Sequence, residues 1–486
     1  MKGDFGNNYF NNREFGALLS RFEQMLKNDS NYYFDVEEFE QIVEYYMDLN
    51  QNGKALKAIK YAFKLHPDAL HLMIKKAQIH LQNKNPQRAL NSLEAVENIE
   101  SSNSEIFLTK GHSLLLMGNL ADSREYYDKA LTLVEDREEL LDVLQNISQT
   151  LQFSDLYEEA IKYLLKAFEL DKDNLMVLYD IAYCYDRAGD PEKSIDYYNR
   201  YLNVEPYSEH VWFSLGNLYN KTGEIDNAIE AYEMAVAINP EYIDSIYELA
   251  VILEDHHQYA KAVKYYKQYL SYEPDSAEIY LFIGNCYFHL DEYTDALEYY
   301  KKSLTIEEYN PEVYYAIANL LYKKQKYWDA LFYAKRTTHL DESDSRFYVL
   351  YGKINSHLKM HRESARAFYK AVEVKPEMIY HWILLTDELI KEKKYDKALK
   401  YLLDSMKFHA DSALILFRVA AMYYKTSNFR SSLQYFKKAM LMDDKRYNEF
   451  FKICPEAKRS NEIKKVMKDK TKIGRASCRK ECATGC

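Results

Sequence analysis

Small residues return along this chain at a fixed interval, and that interval limits the folds open to it. Ala182, Gly216, Ala250, Gly284, Ala318 and Gly352 follow one another at steps of 34 residues. The same step reaches Thr386 and Ala420 forward and Ser148 backward. A second column runs 12 residues behind the first: Ala160, Ser194, Ala228, Ala262, Ala296, Ala330, Ser364, Ala398 and Ser432. Val43, Ala77 and Gly111, with Ala55, Ala89 and Ser123, carry both columns toward the N-terminus; only the step from Gly111 to Ser148 differs, at 37 residues. Self-similarity at a fixed period marks a stack of like units. Two small residues per unit let paired helices approach closely, so Gly284 and Ala296 are expected to face each other.

The prolines keep the same phase. Pro67, Pro206, Pro240, Pro274 and Pro376 occupy one position of the unit, where a second helix must stop. Pro86 and Pro191 share another, each behind a capping residue, Asn85 or Asp190, as a first-turn proline. Pro311 opens a first helix in the same way, and only Pro455 lies outside the phase. Gly118, Gly189 and Gly223 fall between the two helices, where a left-handed turn suits glycine.

The two columns resemble positions 8 and 20 of the tetratricopeptide repeat (TPR). Counted from them, repeats start at Val36, Leu70, Ser104, Leu141, Leu175, Glu209, Ile243, Ala277, Pro311, Ser345, Ile379 and Ala413. Position 4 holds Phe39, Phe107, Trp212, Tyr280, Tyr314, Tyr348 and Trp382, and position 24 holds Tyr127, Tyr198, Tyr232, Tyr266, Tyr300, Phe368 and Phe436. Ala62, Ala130, Ala167, Ala235, Ala371 and Ala439 occupy position 27. The resemblance implies an all-α fold: a right-handed superhelical solenoid of about twelve helix-turn-helix repeats, with the first helix of each pair lining a concave groove. The expected organisation is an N-terminal capping helix over 1–35, divergent repeats over 36–140, regular repeats over 141–446, and a capping helix with a basic tail over 447–472. Phe15, Leu18, Leu19, Phe22 and Leu26 give the first cap its helical spacing. Lys464, Lys465, Lys468, Lys470 and Lys472 make the tail basic, most simply as a solvated polar cap. Val43 at position 8, and Lys76 and Lys110 at a usually apolar position 7, mark the divergence. The three extra residues lie within Val134–Glu139 and should lengthen a helix or its exit loop.

Composition narrows the function. Hydrophobic content of 47% supplies a core, and 47 Tyr against 22 Phe point to aromatic surfaces whose hydroxyl ends stay wet. A formal charge of −11 argues against nucleic acid as the main partner. The chain opens without the apolar core of a signal peptide and has no membrane-length apolar run, so a soluble cytoplasmic protein is expected. Cys184, Cys286 and Cys454 lack metal-ligand spacing and read as small buried hydrophobes. Cys478, Cys482 and Cys486 crowd the end, without His and without a Cys-x-x-Cys pair. Ile473-Gly474-Arg475-Ala476-Ser477-Cys478-Arg479 resembles a translated sequencing adapter, so 473–486 are expected to be non-native.

No phosphate loop, dinucleotide fingerprint, nucleophile elbow or zinc-protease motif is present in the sequence. His256 and His257 are adjacent and would diverge by about 100° on a helix, so they read as loop histidines. Asp341-Glu342-Ser343-Asp344 reads as a solvated turn. We therefore expect no catalytic, cofactor-binding or metal-binding residue.

What remains is the groove. The resemblance implies ligand contacts at positions 2, 5, 9, 12 and 13 of the first helices. Position 9 carries Gln78, Gln149, Asn217, Asn285 and Asn319. An amide donates and accepts at once, which suits the backbone of an extended peptide; the plainer alternative is a polar residue on a wet face. Tyr179, Tyr183, Phe213, Tyr247, Phe288, Tyr315 and Tyr322 would hold side chains. Position 13 carries Lys221, Lys323, Lys391 and Lys425, with His289 and His357 between them, Asp255 interrupting, and Lys353 and Arg346 nearby. That stripe suits an acidic peptide or a free carboxyl terminus; the alternative is cations favoured at helix C-termini. The carboxylate clamp of chaperone-binding relatives is absent, because Phe213 and Glu248 stand where it needs Lys and Asn.

The leading expectation is a non-catalytic scaffold that binds extended or acidic segments of other proteins along its groove. The alternative is a regulatory or targeting arm of a larger enzyme or assembly whose C-terminal part is missing. A third is end-to-end self-assembly. Oligomeric state is not written in the sequence.

Overall fold

The computed structural model describes residues 13–28, 32–97, 99–100 and 102–468. The adapter-like segment, its three cysteines, Lys470 and Lys472 lie outside them. Among the described residues the structure is helical, with no strand, and no helix is long and apolar enough to cross a membrane. The chain divides into two compact units after Tyr242.

Each unit is built from antiparallel helix pairs. In the N-terminal unit the first helices of the pairs are Val36–Asp48, Leu70–Gln82, Ser104–Leu116, Arg137–Phe153, Leu175–Ala188 and Glu209–Thr222. In the C-terminal unit they are Ile243–Asp255, Ala277–His289, Pro311–Lys323, Ser345–His357, Ile379–Lys391 and Ala413–Lys425. Every start but one falls on a residue expected from the 34-residue phase. The exception carries the insertion. Arg137–Phe153 has 17 residues and begins a turn before Leu141, because Asp136 accepts hydrogen bonds from the Glu138 and Glu139 amides. Those two acids favour the positive end of the helix as well. The extra residues thus extend the first helix of the fourth repeat, not the exit of the third.

The two columns meet through the backbone. Ser123, Ser194 and Ser364 each donate a hydroxyl to the carbonyl of Gly111, Ala182 and Gly352, 2.8 Å away and 12 residues earlier. The space that a position-8 side chain would fill belongs to a different residue from the one expected. A Cβ on Gly284 would lie 2.4 Å from the Tyr300 ring; Gly111, Gly216 and Gly352 meet Tyr127, Tyr232 and Phe368 at 2.4–2.5 Å. Every position-8 glycine therefore seats an aromatic ring from position 24. Where position 8 is larger, at Val43, Ser148 and Thr386, position 24 is aliphatic: Ile59, Leu164 and Leu402. In these repeats the pair holds a roughly constant volume, as a close-packed core requires; the ninth repeat, with Ala318 and Ala334, is the exception.

A left-handed residue closes every first helix at position 15. Gly118, Gly189 and Gly223 have φ of 82–85°, and nine non-glycine residues, from Asn50 to Ser427, have φ of 54–62°. The Lys326 amide reaches the Leu321 carbonyl (2.9 Å) and the Gln325 amide the Tyr322 carbonyl (2.9 Å), so the turn satisfies helix-end carbonyls. His257 is one of the nine and lies in this exposed turn.

The ends of the chain cover the outermost repeats. In the N-terminal unit, helix Arg13–Asn28 buries Phe15, Leu18, Phe22 and Met25 beside Phe34, Phe39 and Tyr46, with Leu19 and Leu26 half-buried. Lys110 is buried too, paired with Glu97 and lying over Tyr126. In the C-terminal unit, Phe450 packs on Phe436 at 4.9 Å, and Cys454 and Ile463 are buried with them. Residues 447–468 are not one helix. A helix Asn448–Ile453 stops before Pro455, a 3-10 turn Pro455–Arg459 follows, and residues 461–468 form a further helix that carries Lys464, Lys465 and Lys468. Cys184, Cys286 and Cys454 are free and buried, and burial lifts the Cys184 and Cys454 thiols to about 12.

Two outcomes follow. Ala296 is fully buried, so Ala296→Leu should cost about 1–3 kcal/mol by overpacking, read from urea denaturation; a neutral result contradicts the close approach. Gln325 has φ of 59°, so Gln325→Gly should stabilise by up to about 1 kcal/mol, since the left-handed conformation costs an L-residue roughly 1–2 kcal/mol and glycine loses part of that gain to unfolded-chain entropy. Gly223→Gln should move the denaturation midpoint the other way.

Candidate functional site

The expected site residues lie on the first helices, and each unit holds its own set. In the N-terminal unit Tyr179 stacks edgewise on Tyr198 (5.6 Å) and Tyr183 on Tyr157 (6.2 Å). Phe213 lies 5.2 Å from Tyr242 and 5.9 Å from Tyr232. Lys221 bonds Asp186 at 2.7 Å. In the C-terminal unit Tyr247 lies 5.9 Å from Tyr269, Tyr315 is 5.4 Å from Phe347, and Tyr322 is 5.3 Å from His357. These rings are built into inter-helix contacts and leave part of their surface exposed.

The position-9 amides divide into two kinds. The Tyr232 hydroxyl donates to the Asn217 carbonyl oxygen at 2.7 Å, and the Tyr300 hydroxyl donates to that of Asn285 at 2.9 Å. Tyr300 is 1% exposed, so its hydroxyl needs such an acceptor. Asn217 and Asn285 therefore serve the position-24 tyrosines of their own repeats, with their NH2 groups left over. In the ninth repeat position 24 is Ala334, and Asn319 has no side-chain hydrogen-bond partner among the described residues. The pairing also explains part of the tyrosine excess. Tyr127, Tyr232, Tyr266 and Tyr300 are core residues rather than wet surface, and Tyr266 donates to Glu254 at 2.7 Å. Burial lifts the Glu254 carboxyl above its ordinary range.

The position-13 stripe has a structural partner that sequence reasoning missed. Where position 17 of the preceding repeat is tyrosine, the position-13 cation meets it; Lys221 and Lys391 follow Pro191 and His361 instead. In the N-terminal unit Arg187 lies 5.5 Å over Tyr157. In the C-terminal unit His289 stacks on Tyr259 and His357 on Tyr327, both at 4.7 Å, while Lys323 and Lys425 lie 5.5 and 5.9 Å from Tyr293 and Tyr395. These contacts tie one repeat to the next by cation–π attraction and ring stacking. Burial, followed by the charge of Lys323, holds the His289 imidazole below its usual pKa. The lysines are also paired: Lys323 with Asp291 (3.3 Å), Lys391 with Glu388 (2.5 Å) and Lys425 with Glu456 (2.7 Å). A scan for tyrosines one repeat back from each position-13 residue would have exposed the pairing in the sequence.

Two clefts open on first helices of the C-terminal unit. One, of about 280 Å³, brings together Asn285, Phe288, Tyr315 and Asn319, with His289 and Arg346 at its rim. The other, of about 560 Å³, holds Tyr322, Lys353, Lys391, Lys452 and Arg418 among the acids Asp387, Glu388 and Glu449. Arg418 is 4% exposed and bonds Asp387, while its Nε has no partner. Glu388 is 2% exposed and accepts from Ser356 (2.6 Å), His361 (2.9 Å) and Lys391. Although burial alone would raise its carboxyl, these partners hold it below the ordinary range.

Removing the hydroxyl in Tyr300→Phe should cost about 0.5–1.5 kcal/mol. Asn285→Ala should cost about 1–3 kcal/mol, because it leaves the buried hydroxyl without this acceptor. In the double variant the two losses should fall short of adding, and a denaturation double-mutant cycle reads the difference.

The tetratricopeptide repeat family pattern matches residues 61–341. No curated protein matches the chain. Among solved structures, the chain is similar to a tetratricopeptide repeat protein from Parabacteroides merdae ATCC 43184, at 18% identity over 51% of this chain and 98% of that one, with a TM-score of 0.36. It is similar also to YrrB, described as a TPR protein with an unusual peptide-binding site, at 17% identity over 40% and 98% of the two chains, TM-score 0.34. MamA is 24% identical over 35% of this chain and 92% of its own, TM-score 0.33. With the family pattern spanning more than half of its residues, the chain belongs to the tetratricopeptide repeat family.

Proposed function

We propose that the protein is a non-catalytic scaffold whose first helices in the C-terminal unit bind an extended segment of a partner protein. Repeats of this family make an interaction scaffold in general; the groove and its residues are our reading. The observation that carries it is the cleft holding Phe288, Tyr315 and Asn319. Asn319 keeps a donor and an acceptor free of partners among the described residues, which is what the backbone of an extended peptide requires. Phe288 and Tyr315 flank it and supply apolar contact. Asn285 contributes chiefly its NH2, because its oxygen already accepts from Tyr300. Tyr247, Tyr322 and Lys323 extend the same helix face within this unit. Tyr179, Tyr183, Phe213, Asn217 and Lys221 offer a second peptide-binding face within the N-terminal unit. Acidic segments are favoured less than the lysine stripe alone suggests, since Lys323 and Lys391 already pair with Asp291 and Glu388.

The test is partner capture from the native host by the full chain and its variants. Tyr315→Ala with Asn319→Ala should weaken capture by at least about ten-fold while helicity stays unchanged, the ring being the kind of anchor worth about 2 kcal/mol and the amide about 1 kcal/mol. Capture at full strength would overturn the groove reading. Lys323→Glu with Lys391→Glu should weaken capture only of an acidic ligand, and that loss should shrink as salt rises.

A further inference from the structure

A third cleft in the C-terminal unit is lined mainly by second helices. It lies between the second helices His361–Val374 and Tyr395–Ser405, over the first helix Ile379–Lys391, and encloses about 460 Å³. Its floor is Leu385 and Leu389, and the rings of Tyr369 and Tyr401, also in its lining, pack on each other with centroids 5.5 Å apart. Its rims are basic. Arg362, Arg366 and Lys370 follow at steps of four on one helix, and Lys394 and Lys397 stand opposite, with Glu392 as the only acid in the lining. Lys394 is paired with Glu392 and Lys370 with Glu373, each at 2.8 Å. Arg362, Arg366 and Lys397 are exposed and have no ion-pair partner among the described residues. Three unneutralised cations around one cleft stand out in a chain whose formal charge is −11.

We propose that this cleft is a second docking site, for an acidic peptide segment that also carries apolar side chains. Charge complementarity selects the acids: cations line both rims, so carboxylates on either side of a bound chain would each find a partner. The leucine floor and the tyrosine pair select the apolar residues between them. The row from Arg362 to Lys370 runs about 12 Å along its helix, at 1.5 Å per residue, which matches a short peptide rather than a single anion. A nucleic-acid strand fits less well, since its uniformly anionic backbone makes no use of the leucine floor, and the tyrosine rings pack on each other, tilted by 52°.

The site is separate from the Asn319 cleft, and one titration distinguishes them. The probe is a fluorescein-labelled twelve-residue peptide alternating Asp or Glu with Leu or Phe. Controls are its Asn/Gln counterpart and a labelled twelve-nucleotide oligothymidylate, all titrated with the full chain. The acidic peptide should bind, and more weakly as salt rises; the Asn/Gln peptide should not. Arg362→Gln, Arg366→Gln and Lys397→Gln together should weaken binding by about ten-fold with an unchanged circular dichroism spectrum. The Tyr315→Ala, Asn319→Ala variant should bind the probe as the unaltered chain does. Equal binding of the charged and uncharged peptides, full affinity in the triple variant, loss of binding in the Tyr315/Asn319 variant, or preference for the oligothymidylate would each overturn the proposal.

Discussion

The close approach of two helices at position 8 governs the rest of this architecture. Its partner at position 20 comes near enough for a serine hydroxyl to reach the position-8 carbonyl at 2.8 Å. At that separation no large side chain fits between the backbones, and the ring from position 24 fills what is left. The four glycines at position 8 all carry such a ring. A buried ring brings a buried hydroxyl when it is tyrosine, and that hydroxyl must find an acceptor. Asn217, Asn285 and Glu254 supply it. In these three repeats the packing at one position thus sets the polar identity of a residue one or four places further on, while the Tyr127 hydroxyl on Gly111 has no such acceptor among the described residues.

This chain of consequence bears on function. The residues most open to a peptide-binding interpretation are partly committed to the repeat itself. Asn217 and Asn285 hold tyrosines, and Arg187, His289, Lys323, His357 and Lys425 rest on tyrosines of the preceding repeat. Asn319 is left free because Ala334 replaces the ring that would have used it. A recognition residue in such an array is best sought where the internal partner is missing. The same criterion marks Arg362, Arg366 and Lys397, which have no ion-pair partner among the described residues.

The left-handed turn at position 15 shows how firmly geometry is imposed by packing. Three repeats answer it with glycine and nine with residues such as Lys84, Gln325 or Lys359, which bear a conformational cost of roughly 1–2 kcal/mol each. Stacking on both neighbours keeps these residues in place. Local cost at one turn is tolerated when many packed contacts depend on the helices meeting at that angle.

Periodicity alone determined the repeat, its helix boundaries and most of the buried positions, because one spatial constraint recurs every 34 residues and writes the same residue types each time. The resemblance it revealed was correct at the level of the family. The compensation between positions 8 and 24 was also present in the sequence, in pairs such as Val43 with Ile59 and Gly284 with Tyr300. Tertiary structure alone decided what depends on contact between side chains far apart in the chain. It put the insertion into the helix that Asp136 caps, broke the C-terminal cap at Pro455, and divided Asn319 from Asn217 and Asn285, three amides of identical phase. Phase states which way a residue points; whether its hydrogen bonds are already spent depends on which partner the fold brings within about 3 Å.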